Sequence, residues 1–165
     1  MQSTDLLISH RDNTYIVKVT GRADFEYAVP LRNIAKSSGS ISGIVIDLGA
    51  CTAMDSTFMG VLTMLALKGR REQTAVELYN AGSVLQKLLR DLGVIKLFTF
   101  KEGSVDVSAE NAGVSEKSEL LTTAETVSEA HKALVGADSA NSEKFRAVID
   151  YADADMERLK KEQNK

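Results

Sequence analysis

Three polar residues, Asp55, Ser56 and Thr57, stand between two strongly apolar runs in the stretch GIVIDLGACTAMDSTFMGVLTMLALKGRR, residues 43–71. Their types allow three kinds of chemistry. An aspartate or serine can cap a helix by accepting hydrogen bonds from its first amides. A serine beside a base can act as a nucleophile. A serine at a helix N-terminus can also carry a phosphate, because the helix end favours negative charge.

A catalytic use of Ser56 needs a base, and the sequence does not predict one. Ser56 lacks a Gly-x-Ser-x-Gly elbow, and the two histidines, His10 and His131, lie in separate regions of the chain. Asp47 and Asp55 flank a loop and could form an acid/base pair, but strand-end and capping roles are commoner for such residues. We therefore predict that the protein has no catalytic residues and is not an enzyme.

Metal and cofactor sites are not predicted either. The histidines have no metal-ligand spacing to Cys, Asp or Glu, and no Gly-x-x-x-x-Gly-Lys-Ser/Thr stretch is present to bind phosphates. The single cysteine, Cys51, cannot form an intrachain disulfide and is expected to be a small buried hydrophobe, which fits a reducing compartment.

The elements that must position these residues alternate along the first hundred residues. DLLISH and TYIVKVTG read as strands joined by a hairpin turn at Asp12-Asn13. VPLRNIAKSS predicts a helix that begins near Pro30, and ISGIVIDLG predicts a strand buried on both faces. STFMGVLTMLALKGRR has helical spacing, and TAVELYNA alternates like a strand.

Another helix and strand complete this region. GSVLQKLLRDLG predicts a helix with Ser83 and Gln86 as a capping box and Gly93 as a left-handed cap, and VIKLFTF predicts a last strand. The order β β α β α β α β predicts an α/β fold with a mixed, mostly parallel sheet flanked by helices.

The rest of the chain has a different character. We predict a domain at 1–101, a linker at 102–118 rich in Gly, Ser and Glu, and a helical extension at 119–163. The two amphipathic helices of this extension form a predicted hairpin that either folds back on the domain or pairs with a second copy of the chain.

Charge is divided unevenly between the two parts. Residues 1–100 carry 11 basic and 9 acidic side chains (net +2), whereas 101–165 carry 9 basic and 14 acidic ones (net −5). The acidic extension is expected to be attracted to Lys68, Arg70 and Arg71 at the end of their helix.

Composition disfavours several classes of function. The net charge of −3 and the 5% aromatic content argue against nucleic acid and against an anionic membrane as partners. No apolar run reaches the roughly 18 residues of a membrane span, and the N-terminus does not resemble a signal peptide. We expect a cytoplasmic protein.

The order of elements resembles the STAS domain, and more narrowly the bacterial anti-sigma factor antagonists. The resemblance covers roughly residues 5 to 100, and three stretches carry it: VTGRAD with Gly21 and Asp24, IVIDLGACTAMDSTFMGVL, and LLRDLGVIKLFTF. The middle stretch is the specific one, because it combines a buried strand, a short loop, Asp-Ser and an apolar helix.

This resemblance implies a protein-binding module that controls transcription by signal transduction. It implies an anti-sigma factor that is also a serine kinase as the partner of the unphosphorylated form, and a serine phosphatase that restores binding. Ser56 would be the phosphoacceptor, with Thr57 as second choice. The partner surface would comprise Asp24, Asp55, Ser56, Thr57, Phe58 and Met59.

The chain departs from the family pattern after Ser56. The family usually has a glycine two positions after the acceptor, where this chain has Phe58, with Gly60 following later. We expect this difference to alter the surface that a partner meets. Two other functions stay open: a scaffold without a switch, whose helical tail drives oligomerisation or assembly, and a sensor of a small ligand.

Overall fold

The computed structural model describes residues 5–107 and 119–164, so most of the predicted linker lies outside the described residues. The strands are β1 (Asp5–Arg11), β2 (Thr14–Ala23), β3 (Gly43–Met54), β4 (Val76–Tyr79) and β5 (Thr99–Lys101). The α-helices are α1 (Phe25–Lys36), α2 (Ser56–Arg71), α3 (Ser83–Asp91), α4 (Leu120–Ala137) and α5 (Asn141–Gln163).

The strands form one five-stranded sheet in the order β1-β2-β3-β4-β5. β1 is antiparallel to β2, and the other neighbouring pairs are parallel. Asp12 and Asn13 join the antiparallel pair with φ values of 52° and 62°, as a two-residue hairpin turn of the mirror-image type requires. The predicted mixed, mostly parallel sheet is confirmed.

Helix α1 begins earlier than its proline indicated. It begins at Phe25, and its N-cap Asp24 accepts a hydrogen bond from the Glu26 amide at 3.0 Å, so the predicted start near Pro30 is wrong. A proline inside a helix removes one amide donor. Here the Asp24 cap, together with the burial of Ala28 and Leu31 in the core, stabilises the first half of α1 although the amide donor of Pro30 is missing.

Strand β3 is more deeply buried on one face than on the other. Ile44, Ile46 and Leu48 are buried in the core. On the other face Asp47 is buried, Val45 is half-buried and Gly49 is exposed. The prediction of a strand buried on both faces therefore holds only in part.

The segment that contains α3 differs from its prediction before the helix and in the last strand, whereas the cap after the helix is as predicted. Gly82 is the N-cap and Ser83 the first helical residue without a side-chain cap bond, so the predicted capping box is wrong. Gly93 has φ +72°, which confirms the predicted left-handed cap. The last predicted strand is reduced to β5, preceded by a short 3-10 turn at Ile95–Leu97.

The helical extension folds back on the domain, with α4 packed against α1 and α2. The two main chains come close together at Gly60 of α2, where a Cβ atom would lie 2.3 Å from the main-chain oxygen of Ala130. Such a distance is possible only because Gly60 has no side chain. Ala130 itself and Leu134, one turn later, are fully buried.

Charged groups orient α4 on α1. Arg32 donates from Nε and Nη2 to the two carboxylate oxygens of Glu129, each at 3.0 Å, and from Nη2 to Glu125 at 2.9 Å. Lys36 adds an ion pair with Glu129 at 2.7 Å. The acidic extension therefore meets Arg32 and Lys36 of α1.

The predicted basic cluster at the end of α2 has other partners. Lys68 donates to the main-chain oxygen of Ser37 at 2.7 Å and lies 3.8 Å from Glu72. Among the described residues, no ion pair joins the extension to Lys68, Arg70 or Arg71, although Glu129 of α4 lines a cavity with Lys68 and Arg71. The expected attraction of the extension to this cluster stays a prediction.

The turn between α4 and α5 is also attached to the domain. The buried side chain of Asn141 donates to the main-chain oxygens of Leu92 and Leu134, both at 2.9 Å. Asn141 is the first residue of α5, and its side chain does not cap that helix but bonds across to the domain.

Replacing Gly60 by alanine tests the close approach. The new methyl group would contact the Ala130 main chain, and we expect α4 and α5 to lose about 1–3 kcal/mol of docking free energy. Amide hydrogen exchange should become faster in α4 and α5, with exchange in β2 and β3 unchanged. The control is Gly136→Ala, since a Cβ atom there meets nothing within 4 Å; equal exchange in the two variants would contradict the prediction.

Candidate functional site

Asp55 and Ser56 have different roles at the start of α2. Asp55 is the N-cap, and its Oδ1 accepts a hydrogen bond from the Phe58 amide at 2.8 Å. Ser56 is the first helical residue and is half-buried. The capping role, which the sequence left open between the two, therefore belongs to Asp55, and the Ser56 hydroxyl takes no part in capping.

The Ser56 hydroxyl instead contacts the extension. Its Oγ lies 2.8 Å from Nε2 of His131 on α4, 75 residues later in the chain. The sequence-based expectation that no histidine lies near Ser56 is therefore wrong. That pairing depends on how α4 docks, and spacing along the chain does not report it.

The hydrogen bonds of His131 fix the state of its ring. Nδ1 lies 2.7 Å from the main-chain oxygen of Val127, and a carbonyl oxygen only accepts, so Nδ1 carries the proton. In the neutral ring Nε2 then accepts, and the Ser56 hydroxyl donates to it. Phe145 of α5 packs against the ring with its centroid 4.9 Å away.

Burial shifts the pKa of two titratable groups at this site, His131 and Asp55. Burial lowers the pKa of His131, which is 2% exposed, although its hydrogen bond to Val127 and the nearby Asp55 carboxylate act in the opposite direction. Burial likewise raises the pKa of Asp55, and the Asp24 carboxylate adds to this effect. The site thus contains a neutral imidazole beside a carboxylate.

The pair of Ser56 and His131 is the first half of a nucleophile–base arrangement. In a catalytic triad a carboxylate bonds the second ring nitrogen and stabilises the imidazolium. Here that nitrogen bonds the Val127 main chain, and α5 closes over the ring. The geometry is that of a contact between two helices. Within residues 5–107 and 119–164, no group of His, Cys, Asp and Glu is arranged to hold a metal ion.

The other predicted partner-binding residues are brought to this site, but three of them are covered. Asp24 caps α1 close enough for its charge to affect Asp55. Thr57, Phe58 and Met59 are 6%, 0% and 6% exposed. Phe58 belongs to the core, so it does not present the altered surface that was expected of it. While α4 is docked, Asp24, Asp55 and Ser56 are the predicted residues that retain partial exposure.

The sequence assigned no role to Arg32, Gly60 or His131. His131 lies among the apolar positions of its amphipathic helix, and a polar ring there is the one signal that could have indicated a specific partner. Arg32 and Gly60 had no such signal, because a surface arginine and a helical glycine are common.

The sequence and the fold are similar to those of known proteins. The family model described as "Mlab, STAS domain" matches residues 6–99. No curated protein matches the sequence. Among solved structures, the unphosphorylated anti-sigma factor antagonist SpoIIAA has a TM-score of 0.50 at 15% identity and covers 62% of this chain and 90% of its own.

Two further structures are similar at lower scores. An anti-sigma factor antagonist from Mycobacterium paratuberculosis has a TM-score of 0.47 at 22% identity and covers 60% of this chain and 86% of its own. A sulfate transporter family protein from Wolinella succinogenes has a TM-score of 0.48 at 15% identity and covers 56% and 80%. In the described ranges, no helix is long and apolar enough to span a bilayer.

The lowered pKa of His131 predicts a pH dependence of stability. A histidine whose pKa is lowered by folding binds a proton more readily in the unfolded chain. Its contribution to the free energy of unfolding is therefore complete above a pH of about 6.5 and is lost as the pH falls, by at most about 1.4 kcal/mol for each pH unit. Urea unfolding between pH 7.5 and 5.5 should show this slope. Asp55, the charged group that faces the ring, has a raised pKa, so its protonation increases the free energy of unfolding as the pH falls. This opposite effect sets in at a lower pH than the effect of His131.

The matched variant is His131→Gln, which keeps a hydrogen-bonding side chain but does not titrate. Because Asp55 is present in both proteins, the difference between their slopes reports His131. The same slope in both proteins would contradict a neutral His131 at this site.

Proposed function

The chain belongs to the STAS-domain family, and we propose that it is a regulatory protein-binding module of the anti-sigma factor antagonist kind, switched by phosphorylation of Ser56. STAS domains are typically regulatory modules and not enzymes. In this proposal the unphosphorylated chain binds an anti-sigma factor that is also a serine kinase, and a serine phosphatase reverses the modification.

One observation carries the proposal: Asp55 caps α2 and leaves the adjacent Ser56 hydroxyl without a role in the helix. Modification of Ser56 therefore removes no capping bond. The first amides of a helix and its dipole favour an anion by roughly 0.3–1 kcal/mol. A phosphate on Ser56 is thus compatible with an intact α2, as a reversible switch requires.

The charges around Ser56 explain why a phosphate would repel a partner. A phosphate brings about −1.5 to −2 charge at neutral pH. It would stand beside Asp55 and near Asp24, on the part of the site that is still partly exposed. A partner fitted to a hydroxyl there would meet added bulk and a concentrated negative charge, and a loss of about 2.7 kcal/mol weakens binding about a hundredfold.

Thr57 is the less suitable acceptor. Its side chain is 6% exposed, whereas Ser56 is half-buried and nearer the helix end. A kinase needs to place the hydroxyl in its own active site, so burial favours Ser56 over Thr57.

We expect Ser56→Glu to weaken binding of the anti-sigma factor kinase about a hundredfold, measured by titration calorimetry, because it places a fixed charge beside Asp55. The matched control is Ser83→Glu, since Ser83 is the first residue of α3 as Ser56 is of α2, and it is exposed. The two variants add the same charge at the same helical position.

Phosphate mapping completes this test. After incubation with the kinase and ATP, mass spectrometry should find phosphate on Ser56 and none on Ser83. Binding that is weakened equally by both glutamates, or an active kinase that leaves Ser56 unmodified, would refute the switch.

A further inference from the structure

The N-terminal half of α2 would be the binding face in the proposed function, yet in this structure α4 already occupies it. Gly60 lies against the Ala130 main chain, and the Ser56 hydroxyl bonds His131. Thr57, Phe58 and Met59 are almost inaccessible. Asp24, Asp55 and Ser56 stay partly exposed at its edge. A protein that binds the part of this face beneath α4 must therefore displace α4 first.

Three consecutive residues of α4 make three different contacts. Glu129 binds the guanidinium of Arg32, Ala130 lies against Gly60, and His131 accepts from Ser56. Glu125, one turn before Glu129, binds the same guanidinium. This set of contacts is specific, because it needs a bidentate carboxylate, a small residue and a hydrogen-bond acceptor in a fixed order.

From these contacts we infer that α1 and α2 form a helix-docking groove, that α4 fills it in cis, and that the protein partner of the proposed function fills it in trans with a helix of the same pattern. That pattern is two carboxylates one turn apart that bind Arg32, a small residue opposite Gly60, and an acceptor opposite Ser56. The inference deepens the proposed function and rests on it for the assignment of α2 as the binding face.

Tethering makes the cis helix a strong competitor. A segment joined by a short linker acts at an effective concentration in the millimolar range. If the docked state is favoured 99:1, the apparent affinity of a trans helix falls about a hundredfold. A helix in trans that makes only some of these contacts therefore does not bind tightly enough to displace α4.

Phosphorylation of Ser56 bears on the same groove. A phosphate oxygen accepts hydrogen bonds, and so does Nε2 of the neutral His131, so the present contact is lost unless the ring or the phosphate takes up a proton. A helix in trans that carries an acceptor opposite Ser56 would meet the same conflict. Modification therefore acts on the docking groove itself.

The test uses a fluorescent peptide of residues 119–164 as the trans helix and measures its binding to the full-length chain by anisotropy. Two variants release the cis helix without changing the groove: Ala130→Leu, which places bulk against Gly60, and the double change Glu125→Gln with Glu129→Gln, which removes the carboxylates from Arg32. The control is Ala147→Leu, the same substitution at an exposed position of α5.

Both released variants should bind the peptide at least tenfold more tightly than the wild type and the Ala147→Leu chain. A peptide that carries both glutamines should bind them more weakly than the native peptide. Amide hydrogen exchange should be faster in α4 of both released variants and unchanged in the sheet.

The inference is overturned if neither variant speeds exchange in α4, because the named contacts would then not hold the helix. It is also overturned if α4 is released and the peptide does not bind, or binds all four chains equally. The proposed function fails on different results. It fails if Ser56 is not phosphorylated or if Ser56→Glu does not weaken kinase binding, and neither result depends on the binding of the peptide.

Discussion

The close approach of α4 to α2 at Gly60 is the contact on which the arrangement of this site depends. A side chain on α2 at this point would separate the helices, since even a Cβ atom on Gly60 would lie 2.3 Å from the Ala130 oxygen. Once the two main chains are in contact, the residues on either side of Ala130 reach their own partners. His131 reaches Ser56, and Glu129 reaches Arg32.

Apolar and polar contacts contribute to this docking in different ways. Burial of Leu134 and Phe145 supplies free energy that depends little on geometry. The bond between Ser56 and His131 contributes about 1 kcal/mol net, as an ordinary hydrogen bond does. The ion pairs of Arg32 offset their own desolvation and mainly fix the register of α4. A docked state held this way combines apolar burial with a defined register.

Much of the fold could be predicted from the sequence, because hydrophobic periodicity and turn residues act locally. The Asp12-Asn13 turn and the Gly93 cap follow from backbone preferences of a few residues, and both predictions are confirmed. The predictions for Pro30 and Ser83 are wrong because a local rule was overridden. Asp24 and burial stabilise α1 ahead of its proline, and α3 begins at Ser83 without needing its side chain as a cap.

The sequence by itself determined that an apolar helix follows a strand after Asp55-Ser56 and that two amphipathic helices end the chain. It could not assign a partner to the Ser56 hydroxyl, because His131 lies 75 positions away and reaches it only when α4 packs on α2. The tertiary structure decided that contact, the burial of Phe58 in the core and the choice of Arg32 as the partner of the acidic helix. The physical reason is that periodicity shows which face of a helix must be covered, whereas the matching of shape and charge between distant segments selects what covers it.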